Sequence, residues 1–270
     1  GEGTGMPRDI DRFDRDYFQL ILWDPDQLEV AGAYRLGCAR TLLRDRGPAG
    51  LYTHTLFRFD ANAVTRLEQG LEMGRSFVQP RYQDRRSLDY LWWGIGAFLK
   101  RYPHYRYLFG PVSISAYYGR ESIDRLVYFY SHYYGSGDLA VTARRPHQIE
   151  PDVRQSLDAE FAGLGREEGF RVLRRKLSES GLAVPTLYKH YMEAAHADGV
   201  FVADFNVDPE FGDCVDGFVM VDLAKLKPQK QKRYLGREDY FDGGATRGRK
   251  DPLQHTVDFG RAPGQQSLQG

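Results

Sequence analysis

The stretch Leu71-Glu72-Met73-Gly74-Arg75-Ser76-Phe77-Val78-Gln79-Pro80 decides how this chain reads. Its residues are β-prone, but the alternation of apolar and polar positions breaks near Gly74, and Pro80 cannot donate to a continuing sheet. A strand carrying a bulge near Gly74 fits that pattern, because glycine accepts the backbone geometry and close approach that a bulge brings.

Outward from this strand the chain alternates between two periodicities. Upstream lies a short helix over about 61–70, and before it the β-prone run Tyr17 to Trp23. The turn formers Asp24-Pro25-Asp26 follow, then Leu28 to Leu36, which predicts two antiparallel neighbours joined by a tight connection. Downstream, Leu88, Leu91, Trp92, Ile95, Phe98 and Leu99 recur at spacings of three or four, the mark of a helix over 86–101. Strand-like composition returns at Tyr105 to Gly110 and at Val112 to Ser115, either side of Pro111, and Ile123, Leu126, Val127 and Tyr130 form a second helical stripe. Such alternation predicts an α/β layer architecture rather than a sandwich or a bundle.

Residues 137–180 are polar and locally basic, with Arg144, Arg145, Arg154, Arg171 and Arg174 among them. A solvated helical face explains that run, and a docking surface for an acidic partner competes with it. Further strands are expected at Gly199 to Phe205 and Gly217 to Leu223, before a basic stretch from Lys225 to Arg233. The organisation read from this is a flexible opening segment over 1–16, one domain over 17–236 and a disordered tail over 237–270.

Composition narrows the function. The 270 residues balance 37 Lys and Arg against 37 Asp and Glu, and 41% are hydrophobic. That is ordinary for a globular enzyme, and no apolar run approaches the roughly 18 residues of a membrane span. Two cysteines, Cys38 and Cys214, are too few for a disulfide scaffold or a protein-only zinc site, which favours a cytoplasmic setting and no metal. The basic residues do not join a base-reading module, so nucleic acid is not an expected partner. Phosphate-loop, dinucleotide, zinc-helix and serine-elbow signatures are absent. His147 and Asp152 have the spacing of an acyltransferase His-x4-Asp pair, but their setting lacks its companion and reads as a polar loop. Cys38 reads as an inert thiol, and Asp213 and Asp216 disfavour a thiolate at Cys214.

Several blocks in order carry a resemblance: Glu29-Val30-Ala31-Gly32-Ala33-Tyr34-Arg35-Leu36-Gly37, the Leu71 to Val78 strand, Leu91-Trp92-Trp93-Gly94-Ile95-Gly96, and Tyr107 to Ser115. Pro185-Thr186-Leu187-Tyr188-Lys189, Asp204 to Phe211 and Asp216-Gly217-Phe218 continue it. Over residues 9–236 the chain resembles the acyl-acyl-carrier-protein-dependent N-acyltransferases that make ornithine and related aminolipids, distant members of the GNAT superfamily often called hemolysin-like. The resemblance implies a GNAT-like mixed central sheet flanked by helices. Relatives usually begin with a strand and helix before the equivalent of Asp9 to Asp14, so the chain is expected to be a fragment or to have that first unit missing or replaced.

The same resemblance implies transfer of a long-chain acyl or 3-hydroxyacyl group from the phosphopantetheine of acyl carrier protein, the alternatives being a coenzyme A-dependent or acyl-homoserine-lactone-like synthase and a noncatalytic module that binds acyl carrier protein or lipid. The acceptor implied is an amino acid, ornithine first and glycine open, and the lipid product implies peripheral contact with a membrane. A protonated amine has no lone pair for attack, so the site must accept a proton. Glu72 is the candidate base, the alternative being an ion pair with Arg75 or Arg35. Ser76 is a weaker candidate nucleophile, and Arg75 completes the catalytic set. Backbone N–H groups near Met73 to Phe77 would stabilise the thioester oxygen. Arg75, Phe77, Val78, Arg81, Arg85 and Arg86 are expected to hold the donor arm, since a guanidinium fork suits phosphate. Trp92, Phe109, Ser113, Ser115, Asp204 and Asp208 are the expected substrate contacts.

Overall fold

The computed structural model describes residues 10–83, 86–135 and 139–236. In chain order the elements are β1 (Phe18–Asp24), β2 (Glu29–Cys38), α1 (Ala39–Arg46), β3 (Phe57–Phe59), α2 (Ala61–Leu67), β4 (Gly70–Val78), α3 (Ser87–Arg101), β5 (Tyr107–Ile114) and α4 (Gly119–Tyr134). Then come β6 (Val141–Ala143), α5 (Pro151–Phe161), α6 (Arg166–Glu179), α7 (Thr186–Ala194), β7 (Val200–Asp208), β8 (Cys214–Asp222) and α8 (Pro228–Leu235). Six strands form one mixed sheet in the order β1-β2-β4-β5-β8-β7, and β3 pairs with β6 separately. The expected mixed α/β sheet flanked by helices is the fold observed, and the β1–β2 pair is the predicted antiparallel one.

Among the described strands only β4 and β5 run parallel, and they pair for three residues, Gly70 to Glu72 against Tyr107 to Phe109. Beyond Glu72 the two strands part. At the parting point a Cβ on Gly110 would come within 2.0 Å of the Met73 carbonyl oxygen, so only glycine lets the backbones approach there. Pro111, expected to interrupt the strand, lies inside β5, where β8 is its only partner strand. A proline is tolerated where one side of a strand has no ladder to complete.

β4 also carries the expected bulge. Its register with β2 shifts between Ala33, which faces Phe77, and Arg35, which faces Gly74, so Arg75 and Ser76 together oppose Tyr34. Arg75 takes a φ of 44°, a conformation uncommon for a side-chain-bearing residue. Two apolar layers cover the sheet. Leu71, Met73, Leu108 and Val112 face α3, α4 and α7, while Phe109, Phe218 and Met220 face α1, α2 and the segment 51–57.

The opening segment differs from expectation over residues 10–16. Phe13 is buried, and Asp11 and Asp14 both pair with Arg35, at 2.6 and 3.0 Å, so the segment is pinned to β2. The expected tail lies outside the described residues.

Candidate active site

Glu72 occupies the last position of β4 that pairs with β5 and is only 1% exposed. It pairs with neither Arg75 nor Arg35, which corrects the ion-pair alternative. Its carboxylate instead accepts from the Tyr17 hydroxyl, from the Tyr52 amide at 3.1 Å and from the Thr53 amide at 2.6 Å. Burial pushes the Glu72 carboxyl above its ordinary range, against the pull of those donors. Burial and the neighbouring Glu72 charge raise Tyr17 well beyond any physiological pH, so it stays a phenol and donates. The two arginines are held elsewhere. Arg35 is buried under the rings of Phe13, Tyr17 and Tyr52, and Arg75 reaches Asp11 at 3.3 Å. Asp11 therefore bridges both guanidiniums, fixing the opening segment against the bulge.

β4 separates two open spaces. On the Glu72 side is a polar cavity of about 940 Å³, whose walls include Tyr52, Arg75, Arg144, Arg145, Asp208 and Glu210. Tyr52 stands between this cavity and Glu72. On the other side is a more apolar groove of about 330 Å³, bordered by Tyr34, Ser76, Phe77, Val78, Leu91 and Leu187. The bulge is thus the wall shared by both, with Arg75 turned to the cavity and Ser76 to the groove.

The structure brings Glu72, Arg75, Ser76, Phe77, Val78 and Asp208 to this region and disperses the others. Arg81 pairs with Glu29 and Arg86 with Asp89, both on the surface near the start of α3 and apart from Arg75. Arg85 lies outside the described residues. Trp92 is buried against His190, Tyr191 and Tyr234, in the layer beneath the groove rather than on its wall, and Phe109 packs against Phe218 on the other face of the sheet. Ser113 donates to Asp216 at 2.5 Å, and the Ser115 hydroxyl accepts the Tyr117 amide. Each Asp204 oxygen accepts a backbone amide, those of Ala143 and Phe205, which ties this carboxylate to β6 and β7.

His147 bonds Asp124 at 2.6 Å rather than Asp152, away from both spaces. The Cys214 thiol is pushed up to about 12 by burial and by Asp216 and Asp208. Cys38 is buried, as read; burial would raise its thiol, but His104, Thr41 and Tyr105 bring it down to about 7. Among the described residues no cluster of His, Cys, Asp or Glu is arranged to hold a metal, and no helix is long and apolar enough to cross a membrane.

Sequence reasoning missed Tyr17, Tyr52 and the Asp11–Arg35–Asp14 group. The paired aspartates three residues apart, ahead of an apolar strand and a lone arginine, were the available signal.

A mixed sheet whose one parallel pair parts beside a bulged strand, with a cavity and a groove on either side, is the frame of a GNAT-type acyltransferase. Residues 1–93 match the family model described as an acetyltransferase (GNAT) domain. A protein from Bacteroides thetaiotaomicron named glycine N(alpha)-acyltransferase is 30% identical over 247 residues, covering 87% of this chain and 72% of its own length. Another of that name from Phocaeicola vulgatus is 29% identical over 247 residues, covering 87% and 75%. A Brucella abortus protein named L-ornithine N(alpha)-acyltransferase is 28% identical over 103 residues, 35% of each chain. The chain belongs to this family of GNAT N-acyltransferases, and it is an acyltransferase enzyme.

Proposed function

We propose that the chain transfers a long-chain acyl or 3-hydroxyacyl group from the phosphopantetheine thioester of acyl carrier protein to the α-amino group of glycine, with coenzyme A as the alternative donor. The observation that carries this reading is the bulge of β4, which divides a polar cavity from an apolar groove and has a buried carboxylate beside it. The donor arm lies along the edge of β4 that β5 leaves unpaired, its chain in the groove beside Phe77, Val78 and Leu187. The thioester meets the amine at the bulge. Backbone N–H groups there stabilise the charge that attack places on the thioester oxygen, as fixed donors act best where charge develops. No covalent acyl-enzyme is needed, and Ser76 serves as groove wall.

The amine must lose a proton. Glu72 is the sink, reached through the Tyr17 hydroxyl, which passes its own proton to the carboxylate as it takes one from the acceptor side. A carboxyl raised by burial suits that role, since a base works best when its proton affinity approaches that of its partner. Asp208 lines the cavity and faces the ammonium form before transfer. Exposed Arg81 and Arg86 at the start of α3 meet the phosphate or the carrier.

Glycine is preferred over ornithine because the matches to glycine acyltransferases run over 247 residues and that to the ornithine enzyme over 103. The amphiphilic product would enter a membrane, and the exposed rings of Trp23, Tyr90 and Trp93 offer an edge for shallow contact. The test is thiol release from hexadecanoyl and 3-hydroxyhexadecanoyl carrier protein with glycine, ornithine and other amino acids, the product identified by mass spectrometry. Acylglycine as the main product is expected. Acylornithine would move the acceptor assignment, and transfer from coenzyme A alone would move the donor.

A further inference from the structure

The floor of the groove holds polar groups that the fold does not satisfy. Tyr34, 1% exposed and placed opposite the bulge, turns a buried hydroxyl that no well-formed hydrogen bond satisfies. Ser76, Trp92 and Tyr191 all lie within hydrogen-bonding reach of that hydroxyl, but none meets it in full hydrogen-bond geometry. The Trp92 indole N–H and His190 Nε2 are likewise buried without a partner, and the two rings lie 4.7 Å apart. Nearly all buried polar groups in folded proteins are hydrogen-bonded, so a cluster of orphans in one place calls for a physical reason. Here the reason is position. Tyr34 lines the groove, and Tyr191 beneath it borders the small void between β4, β5 and β8 where the parallel pair parts. The remaining groove wall is dominated by Phe77, Val78, Leu88, Leu91 and Leu187. An apolar slot with a few convergent polar groups is built for a mostly apolar ligand bearing one or two hydrogen-bonding groups.

We propose that Tyr34, with Ser76, Trp92 and Tyr191 around it, binds a hydrogen-bonding group of the acyl donor close to its thioester, and so sets which donors are accepted. The inference rests on the groove being the donor site. Two parts of the donor carry such a group: a hydroxyl on the acyl chain and the amides of pantetheine. A site made to bond a hydroxyl or amide discriminates strongly against a ligand lacking it, because its own buried groups are then left unpaired. This is a specificity device independent of the proton path through Tyr17 and Glu72, which lies on the opposite face of β4.

The test compares the full chain with Tyr34→Phe, using hexadecanoyl and 3-hydroxyhexadecanoyl carrier protein with glycine. The variant removes one oxygen and keeps the ring. A fall in kcat/KM of about ten- to a hundredfold confined to the 3-hydroxyacyl donor assigns the cluster to the chain hydroxyl, and an equal fall with both donors assigns it to pantetheine. Values within twofold of wild type for both donors overturn the proposal. Thermal melting without donor gives a second readout: Y34F should melt no lower than wild type, since the lost oxygen makes no well-formed hydrogen bond in the free protein, and a marked drop would mean that the cluster satisfies itself. Binding of the hydrolysis-resistant thioethers S-hexadecyl- and S-(3-hydroxyhexadecyl)-pantetheine, followed by calorimetry, separates this inference from the reaction. If wild type releases no thiol with any donor, the functional reading fails. Weaker thioether binding by Y34F would still uphold the subsite, and unchanged binding would remove it.

Discussion

The Tyr17 hydroxyl donates to the Glu72 carboxylate, and the Tyr17 ring lies where a Cβ on Gly37 would come within 2.3 Å of its Cε1 atom. A phenol from the start of the chain thus reaches the central strand by passing directly over a glycine of β2. Its other contacts are the Tyr52 amide, which donates to it at 3.0 Å, and the Gly50 carbonyl, which accepts at 3.3 Å. One hydroxyl therefore joins the opening segment, β4 and the turn that walls the polar cavity.

Replacing Gly37 by alanine tests that arrangement. The added methyl must displace the Tyr17 ring, and overpacking of this kind costs about 1–3 kcal/mol. Gly37→Ala should lower the urea midpoint accordingly and reduce turnover more than Glu72-independent donor binding. Wild-type stability and turnover together would show that Tyr17 does not need this position.

Glu72→Gln should lower kcat by about 10²–10⁴-fold while the KM for carrier protein stays near wild type, the signature of lost general-base action. In wild type the acidic limb of kcat/KM should stand above the ordinary carboxylate value of 4.5, since burial raises Glu72, and the limb should vanish in the variant. Stability has the opposite dependence. The folded state holds the Glu72 proton more tightly than the unfolded chain, so the stabilisation is fully present below 4.5 and is lost as pH rises through the raised value. Urea titrations of both proteins across that range measure it. Normal turnover by E72Q would end the base assignment.

The strand and its bulge were legible because a broken alternation at Gly74 is local information, as are the helical stripes of α3 and α4. Pairings across distance were not. Tyr17 and Glu72 are 55 residues apart, and Arg35 lies 24 and 21 residues from its two aspartates, so no periodicity in either segment names the other. Acidic, glycine-rich composition before Tyr17 suggested mobility, whereas Phe13 and two aspartates anchor residues 10–16 to a buried guanidinium. Trp92 and Phe109 show a second limit. An apolar stripe reveals that a ring is buried, but the sheet decides which layer receives it, and both rings went into packing. Asp204 was unreadable for another reason: its oxygens accept amides of β6 and β7, contacts that exist only once those strands meet.

Arg35 should be the most sensitive charge in the fold. Leaving a buried ion without partners costs about 3–5 kcal/mol, so the double variant Asp11→Asn with Asp14→Asn should be far less stable than either single variant. Acid should act the same way. Burial tends to raise Asp11, but the Arg35 hydrogen bond and charge outweigh it and hold the carboxyl below its ordinary 3.8. Its contribution is therefore present above 3.8 and lost as pH falls through the lower folded value. Circular dichroism of acid unfolding should show the double variant losing this low-pH step. An unchanged acid transition would place the ion cluster outside the cooperative core.

His190 gives the last expectation, in a different pH window. Burial, helped by the Lys230 charge, pushes its imidazole down to about 4, against 6.5 for an ordinary histidine. Between those values the unfolded chain binds a proton that the folded chain refuses, so stability rises with pH across the window, by up to about 3 kcal/mol in all. His190→Gln removes the titrating group, and its urea midpoint should vary less between pH 4 and 6.5 than that of wild type. In wild type the His190 Cε1 proton resonance should stay at its neutral position at pH 6. Neutrality there keeps a positive charge out of the packed rings of Trp92 and Tyr234 beneath the groove. A histidine titrating near 6.5 would instead mean that this layer opens to water, and the groove floor with it.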